Sequence, residues 1–478
     1  MVNGRKITQG EREMDSATYE EFLKRKTHYG EYSGFSPVIC HDFLFDFQKN
    51  LVEWATLKGR SAIFADCGLG KTPMYLAWAD NVIRRTNGKV LIVTPLSVSH
   101  QTVREGEKFG IECKRSSDGK AKGDITVTNY ERLHLFDPGD YIGVVLDESS
   151  ILKNFDGTRR KIATEFMLKK PYRLLCTATA APNDYIELGT TSEALGELGY
   201  TDMLTRFFKN EQNTIKPMVY RHKGQNFKVI DEHAKWRFKK HAVTPFWKWV
   251  SSWARACRKP SDLGFDDGNF TLPDLIENQH VIKNTSPLPG ELFVRPAIGL
   301  KEQRKELSLT LTERCEMAAQ ILNSNTTAVA WCHMNAEGDL LEKLIDGAVQ
   351  VAGSDSDDKK EEILNAFSDG QIRVLVTKPK IAGFGLNWQH CNHTTFFPSH
   401  SFEQYYQSIR RFWRFGQSKP VTVDIITTGG GLQVLSNLQK KALAASIMFE
   451  ELVKYMNDAV KIETGREFIE EMEVPQWL

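Results

Sequence analysis

The 478 residues predict an α/β protein of two lobes, each a mostly parallel sheet flanked by helices. Apolar β-type runs recur at Ser61–Phe64, Val90–Val93, Ile125–Thr128, Ile142–Leu146 and Tyr172–Cys176, with helical segments between them. Alternation of that kind builds a parallel sheet covered by helices. A second series follows at Ala328–Cys332, Val349–Ala352, Ile372–Val376, Thr394–Phe397 and Val421–Ile426. Each series is about the size of one domain, and a chain this long exceeds what a single core holds.

The elements then fall in order. Residues 1–35 form a polar, charged N-terminal segment without the apolar run of a signal peptide. The first lobe is expected over 36–205 and the second over 301–432. Residues 206–300 between them change character and are expected to form a mainly helical insertion. There Arg221–His241 holds seven Lys/Arg against two Asp/Glu, a surplus of 5. Phe246, Trp249, Val250, Trp253 and Cys257 follow at helical spacing, and the plain reading of that stripe is a buried helix face. Over 433–478 a C-terminal helical segment is expected, with Val434–Met456 packing back on the body.

Composition narrows the classes. At 41% hydrophobic and 26% charged the chain reads as a globular protein without a membrane span or membrane partner. A net charge of +1 means that any nucleic-acid binding is local. Eight cysteines stand singly with no Cys-x-x-Cys pair, which argues against a zinc ribbon or disulfide framework and for a reducing, cytoplasmic interior. His390, Cys391 and His393 cluster beside a strand and read as structural.

Residues 65–72 read Ala-Asp-Cys-Gly-Leu-Gly-Lys-Thr, between the strand-like Ser61–Phe64 and the helix-like Pro73–Arg85. Backbone N–H groups of such a turn and helix N-terminus face phosphate oxygens, and Lys71 adds a mobile cation. Thr72 offers a hydroxyl to the Mg²⁺ that travels with a nucleoside triphosphate. The general pattern has Gly at position 65, where this chain has Ala65.

An apolar strand runs into Asp147-Glu148-Ser149-Ser150, 76 residues beyond Lys71 (147 − 71). In a phosphate-loop sheet that strand end lies beside the loop. Asp147 can hold Mg²⁺ there, and Glu148 can orient and deprotonate an attacking water. Thr177 and Thr179 follow the next strand and could sense the γ-phosphate. Arg410, Arg411 and Arg414 crowd the segment Gln407–Gln417, and guanidinium forks suit a triphosphate.

With these residues in this order the chain resembles the superfamily 2 helicases, and within them the Swi/Snf-type branch of phage and prophage genomes. The resemblance runs from about Asp42 to Phe449. Gln48 stands at the family's adenine-reading glutamine, and Asp66–Thr72 resembles motif I. Thr94-Pro95 resembles motif Ia, and Thr128-Asn129-Tyr130 the next strand-contacting motif. Asp147–Ser150 with Lys153-Asn154 is similar to motif II, and Thr177–Asn183 to motif III. Ala382–Asn387, with Gly385, is similar to motif V, and Gln407–Gln417 to motif VI. The chain departs from the family at Ser150 (usually His or Asp), Ala180 (usually Pro) and Arg410 (usually acidic). Ala65 is common in helicase-type loops.

The resemblance implies two RecA-like P-loop lobes closing on ATP and Mg²⁺. Lys71, Glu148, Arg411 and Arg414 would be catalytic, and Thr72 and Asp147 would hold the metal. Gln48, Gly68, Gly70, Lys71, Thr72, Asp147, Gly385 and Gln407 would bind the nucleotide, with Thr177 and Thr179 coupling the lobes. Thr94, Thr128 and Asn129 would grip DNA, duplex favoured, through phosphates and without reading sequence. The expected activity is an ATP-dependent DNA translocase or helicase in a bacterial or phage-infected cell. A strand-separating DNA or RNA helicase and an ATP-switched, non-motor DNA-binding scaffold stand as alternatives. The chain shows no nuclease-type acid–Lys cluster, so cutting would need a separate nuclease; a replication or recombination subunit is the other expected partner.

Overall fold

Val90–Thr94, Ile125–Asn129 and Gly143–Asp147 are five-residue runs buried at every position, as in strands covered on both faces. They lie at the centre of the first lobe. The computed structural model describes residues 32–153, 157–181, 184–210, 218–222, 225–229, 236–284, 297, 299–324, 327–382 and 386–463. In chain order the first lobe runs α1 (Asp46–Lys58), β1 (Arg60–Ala65), α2 (Lys71–Thr86), β2 (Val90–Thr94), α3 (Ser99–Phe109), β3 (Lys114–Arg115), β4 (Ile125–Asn129), β5 (Gly143–Asp147), α4 (Thr158–Leu168) and β6 (Tyr172–Cys176). It continues through α5 (Leu188–Leu195), α6 (Tyr200–Phe207), β7 (Phe208–Asn210), β8 (Met218–His222), β9 (Gln225–Val229), β10 (Trp236–Phe238), α7 (Val243–Trp253) and β11 (Ala254–Cys257). Its seven-stranded sheet has the order β11-β1-β6-β5-β2-β4-β3, and every pair is parallel.

The second lobe holds β12 (Leu275–Ile282), α8 (Gly299–Leu309), α9 (Leu311–Asn323), β13 (Ala328–Trp331), α10 (Asn335–Leu344), β14 (Ala348–Gln350), α11 (Asp357–Ser368), β15 (Val374–Thr377), α12 (Pro379–Ala382), β16 (His393–Phe396), α13 (Phe402–Ile409) and β17 (Val421–Thr428). Its six strands run β12-β17-β16-β13-β15-β14, again all parallel. Two parallel sheets with helices on their faces are the α/β architecture the alternation predicts, with the carboxyl ends of the strands, where such sheets bind ligands, free to face a cleft.

The stretch 206–300 needs a correction. Its described part is not mainly helical: apart from the end of α6 and the start of α8 it holds one α-helix, a short 3-10 turn at Pro260–Leu263, and the six strands β7 to β12. Nor is it a unit of its own. The β11 strand extends the first sheet beside β1, from Ala62↔Ala254 to Ala65↔Cys257, so the first lobe runs well past 205. The β12 strand pairs along its whole length with β17 and opens the second lobe. Helical spacing holds for Phe246, Trp249, Val250 and Trp253, which are buried with Phe64 in the first core. It fails at Cys257, because the buried Ala254-Arg-Ala-Cys257 leaves the helix and pairs with β1, a partner that local spacing cannot reveal. The basic stretch Arg221–His241 lies partly outside the described residues.

The last helix, α14 (Leu432–Glu463), has 32 residues and so is about 48 Å long. Leu435 and Leu438 pack into the second lobe's core, while Met448, Phe449, Leu452 and Met456 pack into the first. The expected return to the body is therefore a bridge between lobes. Among the described residues no helix is long and apolar enough to cross a membrane. All eight cysteines are free thiols.

Candidate active site

The phosphate loop begins where β1 ends. The Asp66 N–H donates to Cys257 O at 2.9 Å, so β11 carries the sheet ladder one residue into the loop. Gly68 and Gly70 have φ of 90° and 74°, a region that favours glycine. A Cβ on Gly70 would meet Gln48 Nε2 at 2.4 Å, and one on Gly68 would press on Phe415 at 3.3 Å. Gln48 braces this turn, donating from Nε2 to Leu69 O at 2.8 Å and accepting at Oε1 from Phe45 N at 3.0 Å. Lys71 Nζ donates back to Ala65 O at 3.0 Å.

Strand β6 lies between β1 and β5, which places Asp147, Glu148 and Thr177 at neighbouring carboxyl ends. Burial and the adjacent Glu148 push the Asp147 carboxyl up to about 7, against the pull of Lys71. Thr177 Oγ1 donates to Glu148 Oε2 at 3.3 Å and accepts from Thr179 N at 3.1 Å. From the second lobe, Gln407 Nε2 donates to Thr179 Oγ1 at 3.3 Å. A continuous hydrogen-bonded path thus joins Glu148 to α13. Tyr130 donates its hydroxyl to Asp147 O at 2.7 Å, on the peptide just before Glu148.

Arg411 is fixed by its Nε on Gln407 O and its Nη1 on Leu386 O, both at 3.0 Å, and Arg414 Nη1 reaches Leu386 O at 3.4 Å. Burial lowers the pKa of both guanidinium groups, and neighbouring Arg411 adds to this at Arg414, which falls to about 10. A cavity of about 130 Å³ lies between the lobes, lined by Gly68, Gly70, Lys71, Thr72, Asp147, Glu148, Arg411 and Arg414, with Cys67, Val98, Gln101 and Glu105. One side thus supplies a cation, a hydroxyl and carboxylates, and the other supplies two guanidinium groups. The donor set fits Mg²⁺, which binds through one or two carboxylates plus substrate phosphates and keeps several waters. Among the described residues no group of three or more His, Cys, Asp or Glu could hold a metal by itself.

Other sequence-predicted residues lie off this cavity. Gln48, Gln407, Thr177 and Thr179 stand behind its wall, and Gly385 lies outside the described residues, as do Asn154 and Asn183. Thr94, Thr128 and Asn129 are all buried at the paired ends of β2 and β4. Thr94 donates to Pro95 O at 3.0 Å, and Asn129 Oδ1 accepts from Arg132 N at 3.1 Å. They support the wall of a second, larger cavity of about 1050 Å³ between the lobes, whose surface is made by the residues that follow them. Arg104, Arg115, Arg132 and Arg159 line its first-lobe side, facing Asp357, Asp358, Glu361 and Asp369. Glu148 and Gln101 line both cavities. His390, Cys391 and His393 serve the fold: His390 packs on Phe367, Cys391 is fully buried, and His393 Nε2 bonds Asp424 Oδ2 at 2.6 Å.

Sequence reasoning missed Gln101 and Glu105, whose i, i+4 spacing on α3 lets Gln101 Nε2 donate to Glu105 Oε1 at 2.8 Å. It missed the structural use of Asp66, Tyr130 and Tyr406 as well. Their roles rest on partners distant in sequence.

Residues 307–416 match the family model described as "Helicase conserved C-terminal domain". The matched stretch lies within the second lobe. The curated protein "Bifunctional helicase and thymine dioxygenase JBP2" of Leishmania infantum is 28% identical over 180 residues, 37% of this chain and 15% of that protein. Its counterpart in Leishmania braziliensis is 40% identical over 75 residues, 15% of this chain and 7% of the relative. The chain therefore spans about 15% or less of the length of these curated relatives. Among solved structures, "Sulfolobus solfataricus SWI2/SNF2 ATPase core in complex with dsDNA" aligns over 90% of this chain and 98% of that chain, at 18% identity and a TM-score of 0.41.

Proposed function

We propose that the chain is an ATP-dependent DNA translocase of the Swi/Snf-type branch, in the group found in phage and prophage genomes. The observation that carries this reading is the convergence of Lys71, Thr72, Asp147 and Glu148 from one lobe with Arg411 and Arg414 from the other on a single cavity. The helicase-type match of the second lobe supports it, and the names of the curated relatives include a helicase.

In this reading Gly68, Gly70 and Lys71 cradle the β- and γ-phosphates, and Thr72 and Asp147 would hold a Mg²⁺ that would supply charge neutralisation at the phosphates. Glu148 takes the proton of the attacking water while Thr177 holds its carboxylate in place. Arg411 and Arg414 approach from the other lobe and stabilise the transferring phosphoryl group, a contribution worth about 10³–10⁵ in rate in related chemistry. The path Glu148–Thr177–Thr179–Gln407 passes the state of the site to the second lobe. Closing and reopening of the cleft then becomes stepping along DNA, with the first-lobe arginines of the larger cavity facing its phosphates.

The test is ATPase turnover measured in parallel with duplex DNA, single-stranded DNA and RNA. Duplex DNA should stimulate most strongly. Stimulation by RNA alone would replace translocation on DNA with an RNA helicase, and turnover indifferent to all three would favour an ATP-switched scaffold.

A further inference from the structure

Arg410 belongs to the arginine-rich segment yet does not line the nucleotide-sized cavity. Its Nη2 lies 2.8 Å from Asp66 Oδ2 and donates to Cys67 O at 3.0 Å. Tyr406, one turn earlier on α13, donates its hydroxyl to the other oxygen, Asp66 Oδ1, at 2.5 Å. The two charged side chains are 1% and 8% exposed, and the rest of the guanidinium lies over the Trp413 ring, 5.0 Å from its centroid. Three polar contacts therefore tie the end of α13 to the phosphate loop itself, 340 residues away in sequence.

We propose that Asp66, Arg410 and Tyr406 form a latch between the lobes that sets Arg411 and Arg414 over the phosphate loop. Arg410 is a positioning residue, acting through its chain neighbour Arg411. Four cations, Lys71, Arg410, Arg411 and Arg414, crowd this region, and Asp66 neutralises the one that does not reach the cavity. Burial opposes a charge on Arg410, but the Asp66 carboxylate holds its pKa above the ordinary arginine range. A buried pair of this kind is costly to break from one side, because the partner is left charged and dry. The acid usual at this position in the resembling family would repel Asp66, so here the contact has opposite charges where that residue would give like ones.

The kinetic arm of the test rests on the proposed ATP hydrolysis; the structural arm does not. Small-angle scattering on the full chain, freed of nucleotide, compares wild type with Asp66→Asn, Arg410→Gln, Arg410→Lys and the double variant Asp66→Asn/Arg410→Gln. Each neutralising single variant should raise the radius of gyration, Arg410→Lys should raise it less, and the double variant should be no more open than the worse single. In turnover, Arg410→Gln should lower kcat about tenfold or more while KM for ATP moves less than about threefold, with partial rescue by Arg410→Lys. Should Arg410→Gln fail to fold, the double variant, which leaves no buried charge unpaired, supplies the comparison. Unchanged radii in the variants would overturn the latch whatever the protein hydrolyses, and so would strictly additive losses in the double variant. Loss of turnover in wild type with the radii behaving as expected would instead sink the ATPase reading and leave the latch standing.

Discussion

Glu148 has a φ of 53°, a left-handed conformation rare for a long side chain and costing about 1–3 kcal/mol. Three groups hold it there: Tyr130 on the carbonyl of the peptide before it, Asp147 Oδ1 on its own N–H at 3.1 Å, and Thr177 on its carboxylate. Such strain is kept where the side chain must point in one direction. Glu148→Gln should therefore leave binding of a fluorescent ATP analogue within about threefold and abolish turnover; full turnover in that variant would remove Glu148 as the base. Tyr130→Phe deletes one clamp and should lower kcat with little change in KM, measured by steady-state kinetics. The raised pKa of Asp147 carries a sign that can be checked. Its carboxyl is protonated below about 7 and then cannot serve Mg²⁺, so kcat/KM should fall with acidification through that range. Raising the Mg²⁺ concentration should move this limb to lower pH, and a profile flat down to about pH 5.5 would refute the assignment.

At the scale of elements, nine of the ten apolar runs of the sequence became central strands of the two sheets, because burial on both faces leaves an unbroken hydrophobic signal, and the tenth, Val349–Ala352, became the edge strand β14. The other edge strands were hidden. The β12 strand has no buried position and carries Glu277, Asn278, Gln279 and His280, and its register with β17 makes it a strand. The β11 strand is four residues long and follows a helix without a break. At the site, motifs that act through local backbone geometry were legible: the glycine turn, the paired acids and the arginine cluster. Residues defined by a partner far along the chain, such as Asp66 and Tyr406, were not; Thr94, Thr128 and Asn129, expected to grip DNA, are buried just behind the wall of the larger cavity. The Trp stripe of α7 behaves as core. Trp253→Ala should cost about 3–5 kcal/mol in denaturant unfolding of the first lobe, since it empties space against Phe64 and Trp249.

For the whole molecule, contacts across the cleft come from Asp66–Arg410, Thr179–Gln407, Lys153–Glu403 and, at the mouth of the larger cavity, His100–Glu361 at 3.4 Å. The α14 helix adds apolar burial in both cores. Replacing Leu452 and Met456 together by alanine should loosen only its first-lobe end. The expected outcome is a calorimetric trace that splits from one transition toward two as the lobes lose their shared helix, while a single unshifted transition would show that α14 does not unite them.

Among the described residues the chain crosses between lobes at two separate places. One is near Pro273, where Leu272 packs with the first lobe, Leu275 with the second, and Trp413 Nε1 donates to Pro273 O at 2.7 Å. The other lies along α14 between Ala445 and Met448, where Arg258 reaches Ser446 Oγ at 3.1 Å. A body pinned at two points keeps one freedom, rotation about the line through them. The lobes are therefore geared to swing like a door on that line, and sliding or twisting past one another would tear one of the pins. An inter-lobe motion held to that one axis would follow the same arc each time, which is what the proposed translocation would need for strokes of equal length.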